Sequence, residues 1–353
     1  MDSTAGHRSC RRRCLVAASL FLCLGTARLA QAQQAAGFAV DRFEPAAPGG
    51  TFLSVDSLDF EGHLRPAAGL TSAWAWKPLV VYDQQSNEVS ALVRQELVEH
   101  LQGALVLWRR ARFDLDLPVP LAQSGTSTAV GDQVFGAPGG AGIGDLRLGA
   151  SVRLFGRAGA RITGAAGAQL FLPTGDRKAF SSDGNLRFWP QVMVAGSYDR
   201  LTWGARLGVH VRPTYKCACE LSPGTELTAG GAATWRFFPR FAAGPELYLA
   251  SAIAGGSFAS RAGTSLEVLL AGHVAVAPRW NVSFGVAPGL TDGAGTPAAR
   301  VVVGVQYVVE SAKPSVLPQA PPPWTSADGA AAATATTATI EPPPSDAGQG
   351  ATP

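Results

Sequence analysis

Along most of this chain apolar and polar residues alternate with a period of two, the spacing of a strand whose faces meet different surroundings. In 112–121, Phe113, Leu115, Leu117, Val119 and Leu121 share a face and oppose Arg112, Asp114 and Asp116. In "GIGDLRLGASVRLFG" (142–156), Asp145, Arg147, Gly149, Ser151 and Arg153 alternate with Leu146, Leu148, Ala150, Val152 and Leu154. The pattern returns in 201–212, where Thr202, Arg206, His210 and Arg212 oppose Trp203, Leu207, Val209 and Val211. In 225–236, Glu226, Thr228 and Arg236 oppose Leu227, Ala229, Ala233 and Trp235. In 299–309, Arg300, Gly304 and Gln306 oppose Val301, Val303, Val305, Tyr307 and Val309.

Extended to the whole chain, the alternation predicts strands over 64–76, 91–108, 112–121, 144–155, 161–172, 186–197, 201–213, 225–236, 241–253, 264–277, 280–289 and 299–309. A strand of a soluble sandwich usually runs about five or six residues, whereas these run ten or more, the length of a tilted membrane strand. An even count of twelve suits an up-and-down transmembrane barrel. One position breaks the pattern: Glu99 falls between Leu97 and Leu101, so either a bulge shifts the register there or that part stands above the membrane.

What lies between the strands sharpens this picture. Short arginine-bearing segments, "WRRAR" (108–112), "GRAG" (156–159), "SYDR" (197–200), "FFPR" (237–240) and "APRW" (277–280), alternate with longer polar stretches. The latter cover 77–90, 122–143, 173–185, 214–224, 254–263 and 289–298, and short turns alternating with long loops is the arrangement of an outer-membrane barrel. Trp74, Trp76, Trp108, Trp189, Trp203, Trp235, Trp280 and Tyr307 lie near strand ends, as interfacial girdles do.

The N-terminus places the chain in an exported class. Arg11, Arg12 and Arg13 precede an apolar run from Cys14 to Leu24, and Ala30 and Ala32 form an A-x-A site. Residues 1–32 therefore read as a secretory signal peptide. They hold five of the 29 basic and one of the 26 acidic residues, leaving 24 against 25, so no nucleic-acid partner is expected. Three of the five cysteines leave with the leader, which excludes a disulfide scaffold. Cys217 and Cys219 remain in a loop with no further soft ligand beside them, and metal binding by a C-x-C pair needs two more. No cofactor is expected.

The polar strand faces carry the functional expectation. Arg112, Arg147, Arg153, Arg206, Arg212, Arg236 and Arg300, with Asp114, Asp116, Asp145, Glu226, Glu246, Glu267 and His210, are assigned to the barrel lumen. Seven basic against six acidic residues is near balance, and such charges are expected to pair across the interior rather than select an ion. No motif orients a nucleophile or a water-activating acid beside His63, His100, His210 or His273, so no enzyme is expected. The glycines of "GAGIGD" follow a polar loop and open a strand, which does not fit dinucleotide binding.

The stretches "GIGDLRLGASVRLFG", "LFLPTGD" and "FDLDLPVPL", with Asp41, Phe43, Glu44 and Pro45 of the opening segment, resemble the N-terminal barrels of OmpA-family outer-membrane proteins of myxobacterial type. The likeness covers roughly 41–309. It implies a non-enzymatic barrel in the outer membrane of a Gram-negative bacterium, structural or weakly channel-forming, in contact with lipid and lipopolysaccharide and inserted by the barrel-assembly machinery. A solute-conducting porin is the alternative, and an outer-membrane hydrolase the third reading. Many such proteins continue into a peptidoglycan-binding domain, but no DxDxDG repeat follows Glu310, so peptidoglycan binding is not expected. Gly304, Tyr307 and Val309 have the spacing of a C-terminal assembly signal. The resulting division is signal peptide (1–32), N-terminal extension (33–60), barrel (61–310) and a Pro/Ala/Thr-rich tail (311–353) expected to be disordered. Within the extension, Phe38, Val40, Phe43 and Phe52 are expected to tuck against the barrel or plug its mouth.

Overall fold

In a computed structural model the chain forms a closed antiparallel barrel. The structure describes residues 34–35, 37–83, 85, 87–130, 133–212, 224–253 and 258–309; the leader, the Cys217/Cys219 loop and the tail lie outside them. Three short strands, β1 (Gln34–Ala35), β5 (Thr128–Val130) and β6 (Gln133–Phe135), form a small separate sheet. Twelve others make the ring: β2 (Leu64–Tyr82), β3 (Glu88–Leu107), β4 (Ala111–Ser124), β7 (Leu146–Phe155), β8 (Thr163–Leu172), β9 (Arg187–Tyr198), β10 (Leu201–His210), β11 (Glu226–Phe238), β12 (Phe241–Ala252), β13 (Thr264–Ala277), β14 (Trp280–Pro288) and β15 (Ala299–Val308).

Each strand pairs with its neighbours in the chain, and β15 closes the ring on β2, with Val301 opposite Trp74 and Val305 opposite Leu70. Closure is what lipid demands. A backbone amide in hydrocarbon has no water to bond, so a sheet can cross only if it has no edge. Period-two patterning then puts Phe113, Leu115, Leu148, Leu207, Val301 and Val303 outside, exposed, and the charged residues inside, buried.

Hairpin turns gather at one end of the ring. The first, Trp108–Arg110, holds Trp108 and Arg109 at φ 52° and 57°, left-handed values by which tight hairpin turns match strand twist. Long loops gather at the other end. The strand boundaries follow the alternation closely except at the first hairpin. There β2 and β3 run on to Tyr82 and back from Glu88, so 77–90 is mostly strand rather than loop.

The predicted irregularity near Glu99 is present as register shifts between Leu97 and Val98 toward β4, and between Trp76 and Leu79 toward β2. They do not turn Glu99 inward. It stands on the outer face opposite Ser72 and Val119, while His100 and Val98 are buried on the lumen face.

Two other expectations change, those for Trp189 and Arg236. Trp189 belongs to no girdle but points into the lumen and is buried. Arg236 sits where β11 is bulged against β12 and is exposed near the turn end, donating to the Asp199 carbonyl at 3.0 Å. Gly304 faces the lumen, with Thr71 and Leu53 nearest to it, while Tyr307 rests on Trp280 with ring centroids 4.9 Å apart.

Glu99 generates a prediction. Its Oε2 is buried without a hydrogen-bond partner on an apolar outer wall. Glu99→Leu should stabilise the barrel by about 1–2 kcal/mol, since a lipid-facing charge costs up to a few kcal/mol according to depth. A urea-unfolding midpoint that stays put or falls would show that water serves this carboxylate.

Candidate functional site

The lumen is filled by the chain's own N-terminal segment. Residues 37–61 start among the long loops and end at the turn end, where His63 and Gly62 accept amides of the β3–β4 turn at 2.7 and 3.0 Å. Phe38, Val40, Phe43, Phe52, Leu53, Val55, Leu58 and Phe60 are all buried. The plug expectation therefore holds for Phe38, Val40, Phe43 and Phe52, and the plug runs the length of the lumen rather than capping its mouth.

Its fastening is polar and spans the whole wall. At the loop end Ala39 donates its amide to Asp183 Oδ1 at 2.9 Å, and Val40 donates to the Phe180 carbonyl at 2.9 Å. Asp183 is in turn gripped by Arg212 at 2.7 Å. Burial pushes the Asp183 carboxyl upward, but Arg212 and Arg187 outweigh it and hold the group well below the usual carboxylate range. The group thus stays ionised, and its contribution to stability is lost only as pH falls from about 4 through that lowered value.

Lower down, Arg300 binds Asp41 and Glu267, each at 2.9 Å. Arg42 reaches Glu226 at 2.9 Å, and Arg147 takes Glu44 Oε2 at 2.7 Å and the Pro45 carbonyl at 2.8 Å. Toward the turn end Glu246 accepts the Leu53 and Ser54 amides and the Ser54 hydroxyl at 2.9, 2.7 and 2.8 Å. Arg112 holds both oxygens of Asp56 and lies over the Phe60 ring, and Arg65 pairs with Asp59 at 2.9 Å.

Apart from Arg236 these residues face the interior, and they pair both with one another, as Arg212 with Glu226 at 3.4 Å and Arg147 with Asp116 at 3.6 Å, and with the segment. Asp114 remains 3.9 Å from Arg112 Nε, Asp116 accepts from His100 at 3.0 Å, and Asp145 binds Arg187 at 3.0 Å. Arg153 is half-buried near the turn end. Sequence reasoning missed Arg187, Glu96, His100 and Arg65, all inward by the same alternation. It also missed the segment's Asp41, Glu44 and Asp56, which no periodicity marks.

The four histidines resolve differently. His63 is exposed at the turn end. His210 stacks on Phe171 and Trp189 at centroid distances of 5.0 and 5.5 Å. His273 lies between Ser283 Oγ at 2.9 Å and Glu246 Oε1 at 3.5 Å, a serine–histidine–carboxylate chain. None of the cavities described below reaches Ser283, and Glu246 is engaged by the segment, so these groups brace Leu53 and Ser54.

The segment leaves space beside it. Small cavities flank residues 39–45, the first against β3, β4 and β7, the second against β9–β12. A third lies toward the turn end, against β4 and β7–β10. The first two share Asp41, Glu44 and Arg187, and the second and third share Arg206.

Residues 86–300 match the family described as "Putative MetA-pathway of phenol degradation". The chain belongs to this family. No match was found among curated proteins. Among solved structures, an outer membrane channel from Pseudomonas putida F1 superposes with a TM-score of 0.52 at 13% identity, over 75% of this chain and all of that one. The NanC porin, at a TM-score of 0.43, 10% identity, 69% of this chain and 98% of that one, is more distant. The fold is that of outer-membrane channels. The OmpA-type likeness finds no support in these comparisons.

The fastening makes a quantitative prediction. Arg300→Gln strands the carboxylates of Glu267 and Asp41 in the lumen. Breaking a buried pair from one side costs about 3–5 kcal/mol, to be read as a fall in the unfolding free energy in detergent. A loss below about 1 kcal/mol would mean that water replaces the guanidinium.

Proposed function

We propose that this protein is a solute-conducting channel of the outer membrane, closed in the state described here by its own N-terminal segment. One observation carries the reading. The interior is filled mainly by a segment separate from the wall, hung on side-chain contacts, and the space beside it forms three cavities with shared linings. A barrel of about eight strands fills itself with wall side chains, and wider ones leave room. A purely structural, OmpA-like role asks for no such removable filling. The family's description points the same way, toward small aromatic solutes, and the P. putida channel shares the architecture. The outer wall then meets lipid and lipopolysaccharide, and the barrel-assembly machinery inserts the chain.

Planar-bilayer conductance tests this reading. The full chain should show small or rare openings, and deletion of 41–56 should enlarge them severalfold, provided that the deleted barrel keeps its heat-modifiable migration. Asp56→Asn with Glu44→Gln should act in the same direction. Silence from all three proteins would leave the structural role.

The same reading sets orientation. Arg109, Arg110, Arg157, Arg200, Arg240 and Arg279 all fall in the short turns, where basic residues near anionic headgroups gain about 1 kcal/mol each, so that end faces the periplasm. In a chain lacking Cys217 and Cys219, a membrane-impermeant thiol reagent on whole cells should modify cysteines placed at Ser181 or Asp292. It should miss those at Gly159 or Asp199. The reverse labelling would invert the topology.

A further inference from the structure

Most of the lumen arginines have a carboxylate within ion-pair distance; half-buried Arg206 of β10 does not. Among the described residues no hydrogen bond or ion pair reaches its guanidinium, and its Nε is buried without a partner. Glu44 and Glu246 attract it only from farther away, and both are occupied, by Arg147 and by the Leu53 and Ser54 amides. Arg206 instead lies over Trp189, its Cζ 4.7 Å from the ring centroid.

The position is built rather than accidental. A side chain at Gly230 would bring a Cβ within 3.1 Å of Arg206 Cγ and Nε, and one at Gly208 within 2.7 Å of Trp189 Nε1. Both glycines leave the room that this stacked pair occupies. Arg206 also borders two cavities at once, the one flanking residues 39–45 beside β9–β12 and the one toward the turn end. The first is walled by Trp189, His210 and Tyr248, and its other charges are matched: Asp41 by Arg300, Arg42 by Glu226, Glu44 by Arg147 and Arg187 by Asp145.

We propose that Arg206 is the anchor of a lumen subsite for a small aromatic monocarboxylate. One unmatched guanidinium calls for one negative charge. Its planar fork suits a carboxylate, which it binds through two parallel hydrogen bonds. The aromatic walls of Trp189, His210 and Tyr248 suit a single ring. A dianion would need a second free cation, which the matched neighbours do not supply. The subsite deepens the channel reading above and rests on it for its role as a station along the path.

Benzoate is the probe, titrated calorimetrically into the full-length protein in detergent. Wild type should bind it saturably at one site. Arg206→Gln should weaken binding at least about tenfold, the loss expected when a charge-assisted pair is removed. Arg94→Gln, exposed on β3 and lining none of these cavities, should leave binding unchanged, and benzyl alcohol should bind wild type about tenfold more weakly than benzoate. Heat-modifiable migration and circular dichroism confirm that each variant folds. Absent binding to wild type, equal binding by Arg206→Gln, or equal binding of benzyl alcohol or inorganic phosphate would each overturn the subsite. Conductance measured in benzoate salt separates the two claims. Benzoate current without Arg206-dependent binding sinks the subsite and leaves the channel, whereas binding without current from either the full chain or the 41–56 deletion sinks the channel and leaves a binding site.

Discussion

A guanidinium deprived of water needs a carboxylate facing it, and this barrel holds several guanidinium groups in a closed interior. The wall supplies some of the counter-charges: Asp145 for Arg187 and Glu267 for Arg300. It does not supply them all. Without the segment Arg147 would keep only Asp116 at 3.6 Å, Arg112 only Asp114 at 3.9 Å, and Glu246 would lose three donors. Leaving one buried partner uncompensated costs more than the pair gains in place. Wall and segment are thus one electrostatic structure although the chain connects them covalently only at residues 61–64.

This explains how an aperiodic stretch is held in register along the lumen. A smooth apolar plug would slide, because burial of apolar area is not directional. Carboxylate–arginine contacts fix both position and rotation, and they occur at several heights: Asp183 and Ala39 near the loops, Asp41 and Arg300 below them, and Asp56 and Arg112 near the turns. Apolar residues fill between these fixed points. Phe43 sits edge-on to His100 and Tyr248, and Phe52 and Val55 meet Ala232. The cavities persist where neither kind of contact reaches.

The barrel wall was legible because every spanning strand separates lipid from a polar interior, which imposes alternation residue by residue. Strands from Leu146 to Val308 follow the period-two reading to within three residues at either end. Parity alone also decides Trp189, which shares a face with Arg187 and Gln191; reading it as a girdle residue weighed its nearness to a strand end above its parity. Arg236 keeps its parity but loses its burial, since the bulge between Arg236 and Phe238 lies at the open turn end. The segment's role was only half legible. Its aromatic residues suggested packing against the barrel, but its backbone amides bond wall side chains at irregular intervals, a pattern with no period to detect. Which barrel family the chain belongs to was misread from short glycine-and-charge motifs, which any strand with a charged inner face produces.

The placement of Arg300 has a consequence for the order in which the chain reaches its native state. Asp41 and Arg300 are 259 positions apart in sequence, and Arg300 belongs to β15, the strand that closes the ring on β2. Contacts of such separation are made only after the intervening loop has been closed. The segment therefore cannot be locked in place before the ring is complete: it is either caught as the last strand docks or drawn in afterward. Its inner contacts are consequently among the last to form and add little to the speed of folding. By the same logic they slow unfolding, acting as a latch on a ring that has already closed.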